Sequence, residues 1–456
     1  MNSEYLNFLI SKKTKDLAIA KPIKAHPHKL AKPHQRDCLE FLLRKGRGAA
    51  FLDTGLGKTF LQIDWARHIP GNVLIVAPLG VCHQTIKEAK NMLGVDVGYS
   101  QDGSLKGMIT ITNYDRLHHF DSSEFMAVIL DESSILKGKN SKTKNAIIEM
   151  FSETPYRLAC TATPAPNDYT EIGNHAEFLG IMNTQEMLLR WFLNDSMNTG
   201  DWRLKKHAVV DFWEWVASWA CCLSKPSDLG HDDTGYDLPP MTIKTHTVES
   251  PLESGDEDML FDIPTVNATD LHRVKRSTID QRCQIVADMV NGSKDPWIVW
   301  CESNDESVML SKMIPDAVEV KGSDSPESKE RNLDAFSDGS ARVIISKPSI
   351  CGFGMNWQHC RNMAFASISY SYEKFYQAIR RTWRFGQTKP VIANVVLADS
   401  ELPVWRAIES KSKDHESMKS YMKLAVFKNR DDEKVKIDYN PTKKATMPKW
   451  MERIKP

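Results

Sequence analysis

Reactive chemistry enters this 456-residue chain at the loop Asp53-Thr54-Gly55-Leu56-Gly57-Lys58-Thr59. Gly55 and Gly57 let backbone N–H groups close on phosphate oxygens, Lys58 can reach β- and γ-phosphates, and the Thr59 hydroxyl can ligate Mg²⁺. The spacing G-x-x-x-x-G-K-[ST] is not met in full, because its first position holds Leu52. A GKT taken alone also reads as a tight surface turn. Asp131 and Glu132, 73 residues after Lys58, lower that alternative. They end the apolar run AVIL, and two adjacent carboxylates at a strand end suit a Mg·ATP hydrolase: one holds the metal through water and the other polarises the attacking water. Thr161-Ala162-Thr163-Pro164 closes another apolar run. Far downstream, Gln377-Ala378-Ile379-Arg380-Arg381-Thr382-Trp383-Arg384-Phe385-Gly386-Gln387 reads as a helix. Arg381 and Arg384, at i and i+3, share a face there and can present two guanidinium groups to one anion.

These residues need a scaffold that brings them together. Short β-branched runs, AAFLDTG (49–55), VLIVAP (73–78), MITITNY (108–114), AVILDES (127–133) and YRLACTAT (156–163), alternate with helix-like stretches such as KTFLQIDWARH. That order predicts a parallel sheet covered on both faces, with Lys58 and Asp131 at the carboxyl ends of its strands. The pattern stops over 166–276, which is rich in Trp and poor in strand signals. Within it, 249–270 holds seven acidic residues and no Lys or Arg, and reads as a loop. From about 277 the alternation resumes through WIVWCE (297–302), RVIISKP (342–348), NMAFAS (362–367) and VIANVVLAD (391–399), predicting a second α/β lobe.

Composition bounds the remaining possibilities. With 41% hydrophobic and 26% charged residues the chain reads as globular, and its length implies more than one core. No run of about 18 apolar residues predicts a membrane span, and the first residues lack a secretory pattern, so a cytoplasmic location is expected. Nine cysteines without a C-x-x-C predict reduced thiols rather than a disulfide framework or zinc knuckle. Net charge is zero, yet residues 1–50 carry 11 Lys and Arg against 4 Asp and Glu, and residues 411–456 carry 13 against 7. These basic ends read either as solvated termini or as flanks of a phosphate-binding surface. In the Trp-rich stretch, Phe212, Trp215 and Trp219 fall on one helical face. The stripe predicts packed core, with a projecting wedge or stacking platform for DNA as the alternative.

The series Pro33-His34-Gln35, DTGLGKT, Asp131-Glu132-Ser133-Ser134, TATP, Gly352-Phe353-Gly354-Met355-Asn356 and QAIRRTWRFGQ resembles, in order and spacing, the motifs of superfamily-two helicases. The last two are most similar to the Swi/Snf-like branch, ATP-driven translocases on double-stranded DNA. The resemblance implies an α/β fold of two RecA-like lobes with parallel sheets and a nucleotide cleft between them, plus a mainly helical aromatic-rich insertion. The expected division is a basic extension over 1–29, the ATP-binding lobe over 30–165, insertion and acidic linker over 166–276, the helicase C-terminal lobe over 277–410, and a basic tail over 411–456.

The same resemblance implies residue roles. Gln35 would read the adenine edge, with Thr54, Gly55, Gly57, Lys58, Thr59, Gly354 and Gln377 also around ATP. Thr59 and Asp131 would hold Mg²⁺, Asp131 and Glu132 would manage metal and water, and Arg381 and Arg384 would act as arginine fingers from lobe two. Thr161, Thr163, Gly352 and Asn356 would join DNA contact to the nucleotide. Ser134 stands where the family commonly has His, and Ala162 replaces a common Gly, so coupling to movement is less well matched than hydrolysis. The implied activity is an ATP-dependent translocase on double-stranded or branched DNA in replication, recombination or repair, in a minimal bacterial or bacteriophage form without membrane partners. The alternatives are a strand-separating helicase on single-stranded DNA or RNA, and an ATP-switched DNA-binding subunit of a restriction or repair complex. A P-loop kinase is disfavoured, because the arginine pair belongs to a second sheet.

Overall fold

The computed structural model describes residues 20–138, 141–194, 202–250, 274–351 and 355–431. Most of the acidic stretch, the first 19 residues and the tail beyond 431 therefore lie outside the described residues, as do Gly352 and Gly354.

In chain order the first lobe contains strands β1 (Arg47–Leu52), β2 (Val73–Ala77), β3 (Gly98–Tyr99), β4 (Ile109–Asn113), β5 (Ala127–Asp131) and β6 (Tyr156–Thr161). A short antiparallel hairpin follows, β7 (Phe192–Asn194) with β8 (Trp202–Leu204), and then β9 (Ala220–Leu223). The main sheet has the order β3-β4-β2-β5-β6-β1-β9 and its paired strands all run parallel. β1 lies between β6 and β9, with Ala50 opposite both Cys160 and Cys221.

The central strands are mostly apolar because both faces are covered. Leu74, Val76, Val128 and Leu130 enter one core, while Val73, Ile75, Ala77 and Ile129 enter the other. Residues 20–29 lie against this lobe rather than fraying from it. Ile23 N donates to Leu43 O at 3.1 Å, and the Tyr156 hydroxyl donates to Lys21 O at 3.0 Å.

The second sheet contains β10 (Met241–Val248), β11 (Trp297–Trp300), β12 (Ala317–Val320), β13 (Val343–Ser346), β14 (Asn362–Phe365) and β15 (Val391–Ala398). It is parallel too, in the order β10-β15-β14-β11-β13-β12. Alternation again fills two cores: Ile298 and Trp300 face one side, Trp297 and Val299 the other. Both lobes are thus parallel α/β sheets, as expected for a RecA-like pair.

The stretch 166–276 supplies helices Ile172–Phe178, Thr184–Trp191 and Val209–Ala217, and it also supplies edge strands that its sequence did not announce. β9 joins the first sheet, and β10 pairs with β15 over its whole length. The aromatic stripe is core: Phe212, Trp213, Trp215 and Trp219 are each at most 3% exposed, and Trp191 stacks on Trp215 at 4.7 Å. A wedge made of these residues is excluded by their burial.

The basic stretch from 411 is not a loose tail as far as it is described. It continues one helix, Leu402–Asp431. Val404, Trp405 and Ile408 pack in the second lobe, whereas Met418, Met422 and Ala425 pack in the first, so the helix straps the two lobes together.

Candidate nucleotide cleft between the lobes

The phosphate loop leaves β1 at Leu52 and enters the helix Lys58–Ala66. Gly55 (φ 93°) and Gly57 (φ 80°) occupy left-handed conformations that a side chain disfavours. Space matters as much: a Cβ on Gly57 would lie 2.2 Å from Gln35 Nε2, and one on Gly55 would lie 2.7 Å from Phe385 Cβ. The loop N–H groups and the helix N-terminus together form a ready anion cradle. Lys58 Nζ donates to Leu52 O at 2.9 Å, and half-buried Thr59 stands in the first helical turn. Gln35 buttresses the loop, with Nε2 donating to Leu56 O at 3.1 Å and Oε1 accepting from Lys32 N at 2.9 Å.

β5 delivers Asp131 and Glu132 two strands away from β1. Asp131 Oδ1 accepts from Gln62 Nε2 at 2.6 Å and from the Glu132 N–H at 3.1 Å. Burial pushes the Asp131 carboxyl up, opposed by the Gln62 hydrogen bond and the Lys58 charge. Glu132 has the left-handed φ of 53°, the one positive φ at a non-glycine among the described residues. Burial pushes its carboxyl up to about 7; Lys58 opposes the shift, while Asp131 and Glu373 add to it. A carboxyl held there can exchange a proton with water near neutrality. Thr161 Oγ1 donates to Glu132 Oε2 at 3.5 Å and accepts from Thr163 N at 3.1 Å, so the TATP turn leans directly on the acidic pair.

Lobe two closes the cleft. The helix carrying Gln377 is Tyr372–Ile379 and stops before the arginines, which correct the expected helical placement. Arg380 caps the helix and 381–386 continue as turns and bends, with Gly386 at φ 90° ending them. Arg381 and Arg384 nevertheless converge, each donating from Nη1 to Met355 O at 3.2 Å. Burial, then the neighbouring Arg384, pulls the Arg381 guanidinium down to about 10, while Glu132 across the cleft favours its charge. Burial also lowers Arg384. Asn356 is exposed beside Met355.

Several participants were not singled out by their spacing. Asp53, first residue of the loop, is buried and accepts from Arg380 Nη2 at 2.9 Å and Lys419 Nζ at 3.0 Å, and also from the Tyr376 hydroxyl. Burial would raise this carboxyl, but Arg380, Lys419 and Tyr376 hold it well below the usual carboxylate range. In the reverse direction, Glu373 of lobe two accepts from Ser134 Oγ and Lys137 Nζ. Arg380 was visible as a basic residue, but nothing local marks Glu373 or Lys419 as partners of residues hundreds of positions away.

The residues fit a nucleoside triphosphate. Buried polar atoms around the cleft lack protein partners: Thr54 Oγ1, Ser133 Oγ, Thr163 Oγ1, Gln377 Nε2 and Arg384 Nε. Native structures seldom leave such groups unpaired, and a polar ligand in the cleft would satisfy these. Among the described residues no helix is long and apolar enough to cross a membrane.

Comparison with known proteins agrees with this geometry. The SNF2-related domain family matches residues 34–209, and the helicase conserved C-terminal domain family matches 280–386. The chain is 22% identical over 414 residues to the uncharacterized ATP-dependent helicase YqhH of Bacillus subtilis (strain 168), covering 79% of this chain and 74% of that protein. It is 30% identical over 192 residues to the DNA excision repair protein ERCC-6-like of Homo sapiens, covering 34% of this chain and only 15% of that much longer protein. With the phosphate loop and acidic pair inside the first matched domain and the arginine pair inside the second, the chain belongs to the Swi/Snf-like branch of the superfamily-two helicases, enzymes that hydrolyse ATP.

Proposed function

We propose that the chain is an ATP-dependent motor on double-stranded DNA, working in the cytoplasm. One observation carries the reading: the phosphate loop and acidic pair of lobe one face Arg381 and Arg384 of lobe two across one cleft, so completing the site requires closing the lobes. In this account Gly55, Gly57, Lys58 and Thr59 grip the triphosphate, with Thr54 and Gln377 lining it. Thr59 and Asp131 would hold Mg²⁺, which when bound neutralises phosphate charge and orients the terminal phosphate. Glu132 accepts a proton from the attacking water. Arg381 and Arg384 face the charge that builds on the transferred phosphoryl group.

Coupling to DNA runs through the turns attached to this site. Thr161 and Thr163 touch Glu132 directly or through one another, and Met355, whose carbonyl takes both arginines, stands in sequence between Gly354 and Asn356. Closing and reopening of the cleft would then step the lobes along the backbone of a duplex, reading phosphates rather than base edges. Branched DNA is the substrate on which such a motor would remodel or migrate strands. The test is ATP turnover with duplex, single-stranded and four-way-junction DNA and with RNA. Duplex-containing DNA should stimulate most. Best stimulation by single-stranded RNA, or no response to duplex DNA, would refute the proposal, and absence of turnover with every polymer would favour an ATP-switched binding subunit.

A further inference from the structure

The helix Tyr372–Ile379 and its cap turn one polar face toward lobe one, with Glu373, Tyr376, Gln377 and Arg380 at i, i+3, i+4 and i+7. Tyr376 and Arg380 bind Asp53 at the start of the phosphate loop. Glu373, at the other end of that face, has no part in the chemistry above. It is 5% exposed and accepts from the Ser134 hydroxyl and the Lys137 ammonium, 239 and 236 positions away in the chain.

A carboxylate this deeply buried is tolerated only while it is paired and hydrogen-bonded. Both partners belong to lobe one, so the contact exists only when the lobes meet. What it grips is the turn that begins at the acidic pair. Glu132 has the left-handed φ of 53°, and the 3-10 turn Ser133–Leu136 follows it at once. Ile135 N donates to Glu132 O at 3.2 Å and Lys137 N donates to Ser134 O at 3.0 Å, so one turn links Glu132 to both residues that Glu373 holds. The far end of the turn is fixed inside lobe one, where Leu136 is buried in the core and its carbonyl accepts from Asn174 Nδ2 at 2.9 Å. A left-handed conformation at a residue with a side chain persists only where its surroundings hold it. Here part of that hold comes from the opposite lobe.

We propose that Glu373 is a positioning residue for hydrolysis: by holding Ser134 and Lys137 across the cleft it sets the turn that aims Glu132, so this carboxylate is placed for water only when the lobes are closed. The inference rests on the reading of Glu132 as the proton acceptor. Glu373 acts through the turn and touches neither nucleotide nor water. Ser134, the departure from the family's common His, has its use here as a donor to lobe two.

The test measures kcat and KM for ATP of the full chain, with Mg²⁺ and duplex DNA, beside the melting temperature. Glu373→Ala should lower kcat on the order of 10²-fold, the scale of a misplaced reacting group, with KM within about threefold of wild type. Glu373→Gln keeps an oxygen that accepts from Ser134 and should recover roughly tenfold of that loss. Ser134→Ala should also lower kcat, and combining it with Glu373→Ala should be no slower than Glu373→Ala alone, because both changes cut one connection. If Glu373→Ala does not fold, Ser134→Ala combined with Glu373→Gln serves as the cycle. A kcat for Glu373→Ala within about threefold of wild type, whatever its melting temperature, makes the contact lobe adhesion only and overturns the proposal. Losses that multiply in the double variant, a KM rise as large as the kcat fall, or Glu373→Gln as slow as Glu373→Ala also overturn it. Unimpaired turnover in Glu132→Gln refutes instead the underlying reading of the acidic pair.

Discussion

In the proposed mechanism Lys58 serves binding and Glu132 serves chemistry. Lys58→Ala removes a cation from the phosphate cradle and should weaken ATP binding. Glu132→Gln keeps shape and cradle while removing the proposed proton acceptor, so ATP should still bind and turnover should be lost. Measuring nucleotide affinity and steady-state hydrolysis in parallel distinguishes the two defects, and normal hydrolysis in either variant would contradict the assignment. Arg384→Ala should leave ATP affinity near wild type and lower turnover on the order of 10³-fold, the scale of an arginine finger. Turnover within about threefold of wild type would mark Arg384 as a structural residue holding Met355 O. These residues were legible in the sequence because each motif is local: glycines beside a lysine, two carboxylates ending an apolar run, arginines three apart. Asp53 was equally visible as a letter but not as a partner, since its ligands Arg380 and Lys419 meet it only through folding.

At the scale of elements, buried strands announced themselves and edge strands did not. β1, β2, β5 and β6 are mostly apolar and almost wholly buried because both faces are covered, whereas β10 has mostly exposed residues and β9 is four residues hidden behind a Trp-rich helix. The arginine motif was placed on a helix because its i, i+3 spacing fits one. In the structure the helix ends at Ile379 and turns preserve the shared direction of Arg381 and Arg384. The helix Val209–Ala217 carries a stability prediction: Trp215 is 1% exposed among Trp191, Phe212 and Trp219. Trp215→Ala should cost about 3–5 kcal/mol and lower the melting temperature. A thermal unfolding curve superimposable on wild type would contradict its place in the core.

For the whole molecule, the two lobes are held by buried polar contacts and by the helix Leu402–Asp431. The two runs of alternating strand and helix foretold two lobes, but not that a basic C-terminal stretch would cross from one to the other, because the helix's apolar positions are sparse and its partners lie in both cores. Asp53 is the centre of this junction. Removing its charge with Asp53→Asn leaves Arg380 and Lys419 without their counter-ion, and loss of one partner from a buried pair costs about 3–5 kcal/mol. The sign of the pH dependence follows from the lowered carboxyl. The contribution is present above the unfolded value near 3.8 and is lost as pH falls below it toward the folded value. The melting-temperature gap between wild type and Asp53→Asn should therefore persist from about pH 5 to 8 and narrow only in stronger acid. A gap that closes near neutrality would contradict this account of the junction.

The central claim is that hydrolysis in the inter-lobe cleft moves the chain along an intact duplex. Release of a third strand from a DNA triplex tests it most directly, because a moving motor displaces that strand while leaving the underlying duplex paired. Wild type with ATP and Mg²⁺ should release the third strand, and Glu132→Gln should not. ATP turnover without release, or release accompanied by separation of the duplex strands, would contradict the account.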